Sequence, residues 1–141
     1  MNKSNSGINF FLNIAKFQSE LSRRLDARLG GLGFNEFVIL YHLSQAEEQK
    51  MRRIDLADKI GLTASGVTRL LLPMEKIGLI KKESNAHEAR VSLVTLTLAG
   101  KTKLTEGLER AELFAEELIP KDKTKKTEEL SELLIDLGKN I

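Results

Sequence analysis

Three side chains able to read a polar surface stand close together in this sequence. Ser65, Thr68 and Arg69 are spaced i, i+3 and i+4 within Leu62-Thr63-Ala64-Ser65-Gly66-Val67-Thr68-Arg69-Leu70, so on a helix they share one face. Val67, Leu70, Leu71 and Met74 fall on the opposite, apolar side. An arginine fork matches a guanine edge or a phosphate, and serine and threonine hydroxyls can bond to either. Thr63 and Ala64 open the helix, where they would lie close to a nucleic-acid backbone or its bases. The plain alternative is that Arg69 is merely solvated or paired with an acid.

No other constellation of this kind is present. The chain has no glycine-rich phosphate loop, no metal-spaced His/Asp/Glu set and no Ser/His/Asp arrangement. Its carboxylates are scattered along helix faces. His42 and His87 are the only histidines and there is no cysteine, so neither a metal site nor thiol chemistry is expected. We therefore expect no catalytic residue, no enzyme activity and no cofactor.

The elements that must position Arg69 and its neighbours are legible in order. Phe10, Ile14, Phe17, Leu21 and Leu25 predict a helix over 8–29, ended by Gly30-Gly31-Leu32-Gly33. A second helix is predicted from an Asn35 N-cap to about Ala46, with Phe37, Leu40, Tyr41 and Leu43 inward. Glu47-Glu48-Gln49-Lys50 reads as a loop. Two short amphipathic helices then meet at Gly61, the second running from a Thr63 N-cap to about Ile77, with Gly78 as its left-handed stop. Pro73 falls inside it, where it removes a hydrogen bond to the Arg69 carbonyl at a cost of roughly 3 kcal/mol. Because the apolar series Val67, Leu70, Met74, Ile77 continues across it, a kinked helix is predicted rather than an end at Leu72.

Leu79–Ser84 and Val91–Leu96 read as two strands around a polar turn, a hairpin "wing". Leu104, Leu108, Ala111, Ala115 and Leu118 predict a helix over 98–119, Pro120 breaks it, and a last helix spans about 122–140. The order is α-α-α-α-β-β-α-α: a mainly α fold with a small β-hairpin wing, a winged helix-turn-helix flanked by N- and C-terminal helices. Those end helices have apolar stripes with no obvious cover except each other or a second copy, so a two-fold homodimer is expected.

Charge agrees with this layout. The 141 residues are 41% hydrophobic and 30% charged with a net charge of +2, the balance of a folded protein rather than a disordered one. Residues 50–90 carry nine basic side chains against five acids, whereas 1–49 are balanced and 91–141 are net negative. A basic excess over the helix-turn-helix suits a polyanion. At the wing tip Arg90 is a candidate for insertion into a minor groove, with Glu88 holding it in place. The alternative is an exposed ion pair worth at most about 1 kcal/mol. Arg52, Arg53, Lys81 and Lys82 stand as phosphate neighbours or as ordinary surface charge. The N-terminus lacks a signal-peptide pattern and no apolar run approaches the roughly 20 residues of a membrane span, so a cytoplasmic protein without membrane association is expected.

The sequence resembles the MarR family of bacterial winged-helix transcriptional regulators over nearly its whole length. The resemblance is sharpest in Leu62–Leu70, then in Met74-Glu75-Lys76-Ile77-Gly78-Leu79-Ile80, and then in the wing from Asn85 to Gly100. The wing keeps the family's pattern of an acid two positions before an arginine, alternating apolar residues, Leu-Thr and Gly, here Glu88, Arg90, Leu93-Val94, Leu96-Thr97 and Gly100. It departs in having Ala89 where a second basic residue is common, which leaves Arg90 to supply most of the wing's affinity. The resemblance implies a homodimer on a palindromic double-stranded DNA operator, and a small aromatic or anionic effector held between the dimer helices and the DNA lobe. Phe10, Phe11, Phe17, Phe34, Phe37 and Tyr41 could line that pocket, Phe11, Phe37 and Tyr41 being the candidates selected, with ordinary core packing as the competing explanation.

From these readings three segments are expected: a dimerisation helix and linker (1–34), a DNA-binding winged helix-turn-helix (35–100) and C-terminal dimerisation helices (101–141). The expected function is a homodimeric, sequence-specific DNA-binding regulator, a repressor relieved by an effector. The expected DNA contacts are Thr63, Ala64, Ser65, Thr68, Arg69, Arg90, Arg53 and Lys81. A winged helix used for protein–protein interaction is the alternative, and a small-molecule-binding protein without DNA binding is a further one.

Overall fold

A computed structural model of the chain describes residues 5–84 and 92–141. Six helices and three strands follow one another as α1 (Ser6–Arg28), α2 (Phe34–Gln45), β1 (Lys50–Arg52), α3 (Arg53–Ile60), α4 (Ala64–Lys76), β2 (Ile80–Ser84), β3 (Ser92–Leu96), α5 (Leu98–Leu118) and α6 (Thr124–Gly138). The expected order holds with one addition. Lys50-Met51-Arg52, of which Lys50 closes the expected loop and Met51 and Arg52 had no expected element, is a strand that pairs antiparallel with β3, Met51 opposite Val94. It completes a three-stranded sheet in the order β1-β3-β2. Three residues cannot declare themselves as a strand; β3 makes them one. The hairpin itself pairs Ile80 with Leu96 through Ser84 with Ser92.

The core lies where α2, α3 and α4 close on the sheet. Ile39, Leu40, Leu43, Leu56 and Val67 have no exposed surface, and Leu71, Met74, Ile80 and Val94 pack into the same cluster. Removing such side chains from water, at about 25 cal/mol per Å² of apolar surface, is the main term holding the reading head together. The core extends outward through Leu25, Leu29 and Leu32 together with Leu104 and Phe114 of α5.

Several expected boundaries shift for physical reasons. Asn35 is not the N-cap of α2; Gly33 is. The Glu36 carboxylate accepts the Gly33 N–H at 2.8 Å, and Asp26 of α1 accepts the Phe34 N–H at 2.7 Å, so a distant side chain supplies the cap. Tyr41, expected inward, is 40% exposed, and Ile39 takes its place in the core. Ile77 leaves the apolar series and is 67% exposed. The last helix begins at Thr124 after a single 3-10 turn over Lys121–Lys123. On α5 the expected stripe is buried at Leu104, but Phe114, which the spacing did not select, is its other anchor.

The ends of the chain are unlike the middle. Residues 11–20 of α1 are all exposed, and α6 has no buried residue at all. Ile8, Phe11, Leu12, Phe17, Leu130, Leu133, Leu134 and Ile135 stand in solvent. No helix among the described residues is long and apolar enough to cross a membrane.

Candidate nucleic-acid interface

The helix-turn-helix is built by local chemistry. Helix α3 stops at Gly61, whose φ of +71° is a left-handed value that a side chain would oppose. The Leu62 N–H then closes on the Ala57 carbonyl at 3.0 Å. As expected, Thr63 caps α4, its hydroxyl accepting the Gly66 N–H at 3.1 Å. The helix continues through Pro73 to Lys76 rather than ending at Leu72, and Gly78 follows with φ +81°. Val67, Leu71 and Met74 pin its inner side to the core. What remains outward is a face at the helix start formed by Ala64, Ser65 and Arg69, all exposed, with Thr68 half-buried beside them.

The polar groups on this face are arranged individually. The Thr68 hydroxyl donates to the Ala64 carbonyl at 3.0 Å and accepts from Nη1 of Arg53 at 3.1 Å. Arg53, at the first position of α3, thus reaches across the motif to the recognition helix. Ser65 shares a 3.3 Å hydrogen bond with Thr63. Arg69 is exposed and makes no ion pair among the described residues, so the alternative in which an acid neutralises it finds no support.

Other basic residues are less available than their number suggests. Arg52 makes a two-pronged contact with Asp55 at 2.8 and 3.1 Å, and this hydrogen bond holds the Asp55 carboxyl below the usual aspartate range. On the sheet, Glu83 lies 3.4 Å from Lys50 and 3.4 Å from Lys81, and hydrogen bonds from both lower its pKa, the one from Lys50 most. Lys81 is therefore partly satisfied within the protein. The Thr95 hydroxyl, between Lys50 and Lys81 in the strand register, is buried without a hydrogen-bond partner. Lys82 is exposed and has no carboxylate partner among the described residues. Arg90 and Glu88, with His87, lie outside the described residues.

The aromatic residues expected at an effector pocket are spread out. Phe11 is 65% exposed on the outer part of α1. Phe37 stacks on Phe34 at 6.4 Å and lies against Gly107 of α5. Tyr41 meets His42 edge-on at 5.7 Å. A cleft of about 310 Å³ opens elsewhere, between α1 and α5, lined by Phe17, Leu21, Arg24, Arg28 and Phe114 among others. In it Arg28 sits 5.0 Å over the Phe114 ring and 2.8 Å from Glu117. Of the aromatic residues considered for a pocket, Phe17 lines this cleft, and Phe11, Phe37 and Tyr41 do not.

A recognition helix on a closed three-helix core, with a hairpin beside it, defines a winged helix-turn-helix protein. Residues 34–92 match the model of the MarR family, so this part of the chain is similar to that family. An HTH-type transcriptional regulator of Bacillus subtilis (strain 168), YdgJ, is 24% identical over 103 residues, 73% of this chain. That match spans only 60% of the relative's own length. Among solved structures, the regulator BldR of Sulfolobus solfataricus superposes with a TM-score of 0.87 at 24% identity, each chain fully covered. A MarR mutant from E. coli in complex with operator DNA gives 0.77 at 19% identity, over 95% of this chain and 99% of that one. The organohalide-sensing regulator RdhR-CbdbA1625, bound to 2,4-dichlorophenol, gives 0.82 at 20% identity over 99% and 85%. At these identities the structural matches establish a common fold.

Proposed function

We propose that the chain is a homodimeric, sequence-specific DNA-binding transcriptional repressor, released from its operator by a small aromatic or anionic effector. The observation that carries this reading is the face of α4. Ala64, Ser65 and Arg69 stand exposed at the start of a capped helix whose inner side is fixed in the core, and Arg53 braces Thr68 from below. Such a face suits a major groove, with Arg53 and Lys81 toward the phosphates and Arg90, supported by Glu88, toward the minor groove. That a structural relative from E. coli is seen in complex with operator DNA supports the DNA-binding reading.

The dimer reading rests on the two chain ends, 1–34 and 101–141, which flank the reading unit 35–100. The outer part of α1 and all of α6, which has no buried residue, gain their cover from a second copy. Two heads then meet half-sites about 34 Å apart on a palindrome. An effector acts as a population shift: it weakens DNA binding by its preference for a dimer whose heads are wrongly spaced. We assign its contacts to Phe11, Phe37 and Tyr41; the aromatic class of effector is supported by the 2,4-dichlorophenol bound to a structural relative. The test is the double variant Arg69→Ala/Arg90→Ala, which should lose operator binding while sedimenting as the same dimer; undiminished binding refutes the site.

A further inference from the structure

Two hydrogen bonds on α4 fix where the Thr68 proton points, and that restricts what Thr68 can read. Nη1 of Arg53 lies 3.1 Å from Thr68 Oγ1. A guanidinium has donors only, so in this bond the hydroxyl oxygen accepts. The same oxygen lies 3.0 Å from the carbonyl oxygen of Ala64, which can only accept, so the hydroxyl proton is committed there. A hydroxyl owns one proton and two lone pairs. The proton and one pair are used within the protein, leaving one lone pair and the γ-methyl group to face a ligand.

Resting on the DNA-reading function proposed above, the geometry points to Thr68 as an acceptor-only reader that selects adenine or cytosine at one position of each half-site, with Arg53 as the residue that keeps it so. In the major groove the donors are the exocyclic amines of adenine N6 and cytosine N4. Guanine N7 and O6 and thymine O4 accept, as do all phosphate oxygens. A hydroxyl with its proton engaged has nothing to give these acceptors. Its remaining lone pair fits an amine.

Arg53 makes the restriction hold. Threonine in a helix divides between two χ1 rotamers, and the guanidinium favours the one that sets Oγ1 beside the Ala64 carbonyl. The other N–H groups of Arg53 remain available to a phosphate. Arg53 is thus a positioning residue for Thr68 as well as a cation. Ser65 offers a contrast on the same helix: its bond to Thr63 at 3.3 Å allows either oxygen to donate. Its proton is not committed, so it carries no such selectivity.

The experiment is selection of bound duplexes from random sequence by the wild-type chain, Thr68→Val, Thr68→Ser, Arg53→Met and the double variant Arg53→Met/Thr68→Val. Wild type should enrich A or C over G or T about fivefold at one half-site position, the worth of one hydrogen bond. Thr68→Val should lose that preference at that position alone, and Thr68→Ser should keep it. Arg53→Met should relax the same position and weaken every sequence together, with the double variant no more relaxed there than Thr68→Val. Uniform weakening by Thr68→Val, or a wild-type preference for guanine at the position it affects, overturns the inference. A wild-type palindrome that Thr68→Val leaves unchanged overturns it alone; a wild-type chain that enriches no duplex overturns the DNA reading as well.

Discussion

Gly100 tests how the reading head is joined to the helix that leaves it. A Cβ built there would fall well inside van der Waals contact with the Leu79 carbonyl oxygen and only 2.7 Å from Cδ1 of Leu96. Neither neighbour can yield easily: the Leu79 carbonyl accepts the Thr97 N–H at 3.3 Å, and Leu96 is core. Helix α5 would have to shift at its first turn. That shift would strain two further bonds, from the Gly100 N–H to Thr97 Oγ1 at 3.0 Å and from Thr97 Oγ1 to the Gly78 carbonyl at 2.6 Å. Alanine gains about 1 kcal/mol of helix propensity over glycine. Against this stand about 1–3 kcal/mol of overpacking and about 1 kcal/mol for each hydrogen bond lost. Gly100→Ala should therefore destabilise by about 2–4 kcal/mol, a fall in Tm of roughly 5–15 °C at this chain length. Thermal and urea unfolding at one fixed protein concentration would measure it. Gly138→Ala is the matched control, since a Cβ there meets nothing within 4 Å and the same propensity term should leave it neutral or slightly stabilised. A Gly100→Ala protein as stable as wild type would show that the junction between wing and α5 is not closely packed, and the reasoning would fail.

Two further outcomes follow from single residues. Thr63→Ala removes the acceptor for the Gly66 N–H and should cost about 1 kcal/mol in urea unfolding, whereas Thr63→Ser should restore most of it; equal loss in both would assign the effect to something other than the cap. His42 is held below its ordinary 6.5 by burial first and by Lys59 second. The unfolded chain therefore binds this proton more readily. The contribution of His42 is fully present above about pH 6.5 and is lost as pH falls through the lower folded value. Urea midpoints measured from neutral to mildly acid pH should fall less steeply for His42→Gln than for wild type, and parallel curves would refute the assignment.

What the sequence discloses is what short-range chemistry decides. The left-handed Gly61 and Gly78, the Thr63 cap and the inward set Val67, Leu71 and Met74 depend on residues within one or two turns, and each is where its type and spacing imply. Pro73 was legible for the same reason: the apolar spacing resumes at Met74 beyond it. The misplaced features depend on distant partners. Asn35 looks like a better cap than Gly33 until Asp26 arrives from α1 to take the Phe34 N–H. Lys50-Met51-Arg52 becomes a strand only because β3, more than 40 residues later, needs an edge. Phe114 stands outside the periodic stripe of α5 but under Arg28 of α1. The hydrogen bond from Arg53 to Thr68 spans 15 positions and no pattern announces it.

Counting charge illustrates the same limit and bears on how the protein would hold DNA. The basic excess of residues 50–90 suggests a strongly cationic head, yet Lys50, Arg52 and Lys81 already face carboxylates. Arg53, Lys59, Arg69, Lys76 and Lys82 are the cations of this segment, among the described residues, without a carboxylate partner. Each phosphate neutralised contributes about 0.9 to the slope of log affinity against log salt, so under the proposed function one head would offer a smaller slope than the full count of basic residues suggests. Two heads on one duplex double the count, and the second binds at the high effective concentration set by the first. Helix α6 would be a poor investment for a single head, because an isolated helix of 15 residues with no buried side chain is marginal in water. Its exposed Leu130, Leu133 and Leu134 become intelligible when a second copy covers them. The paired charges of the head and the uncovered ends of the chain thus both favour the proposed homodimer, in which neither half is expected to hold an operator alone.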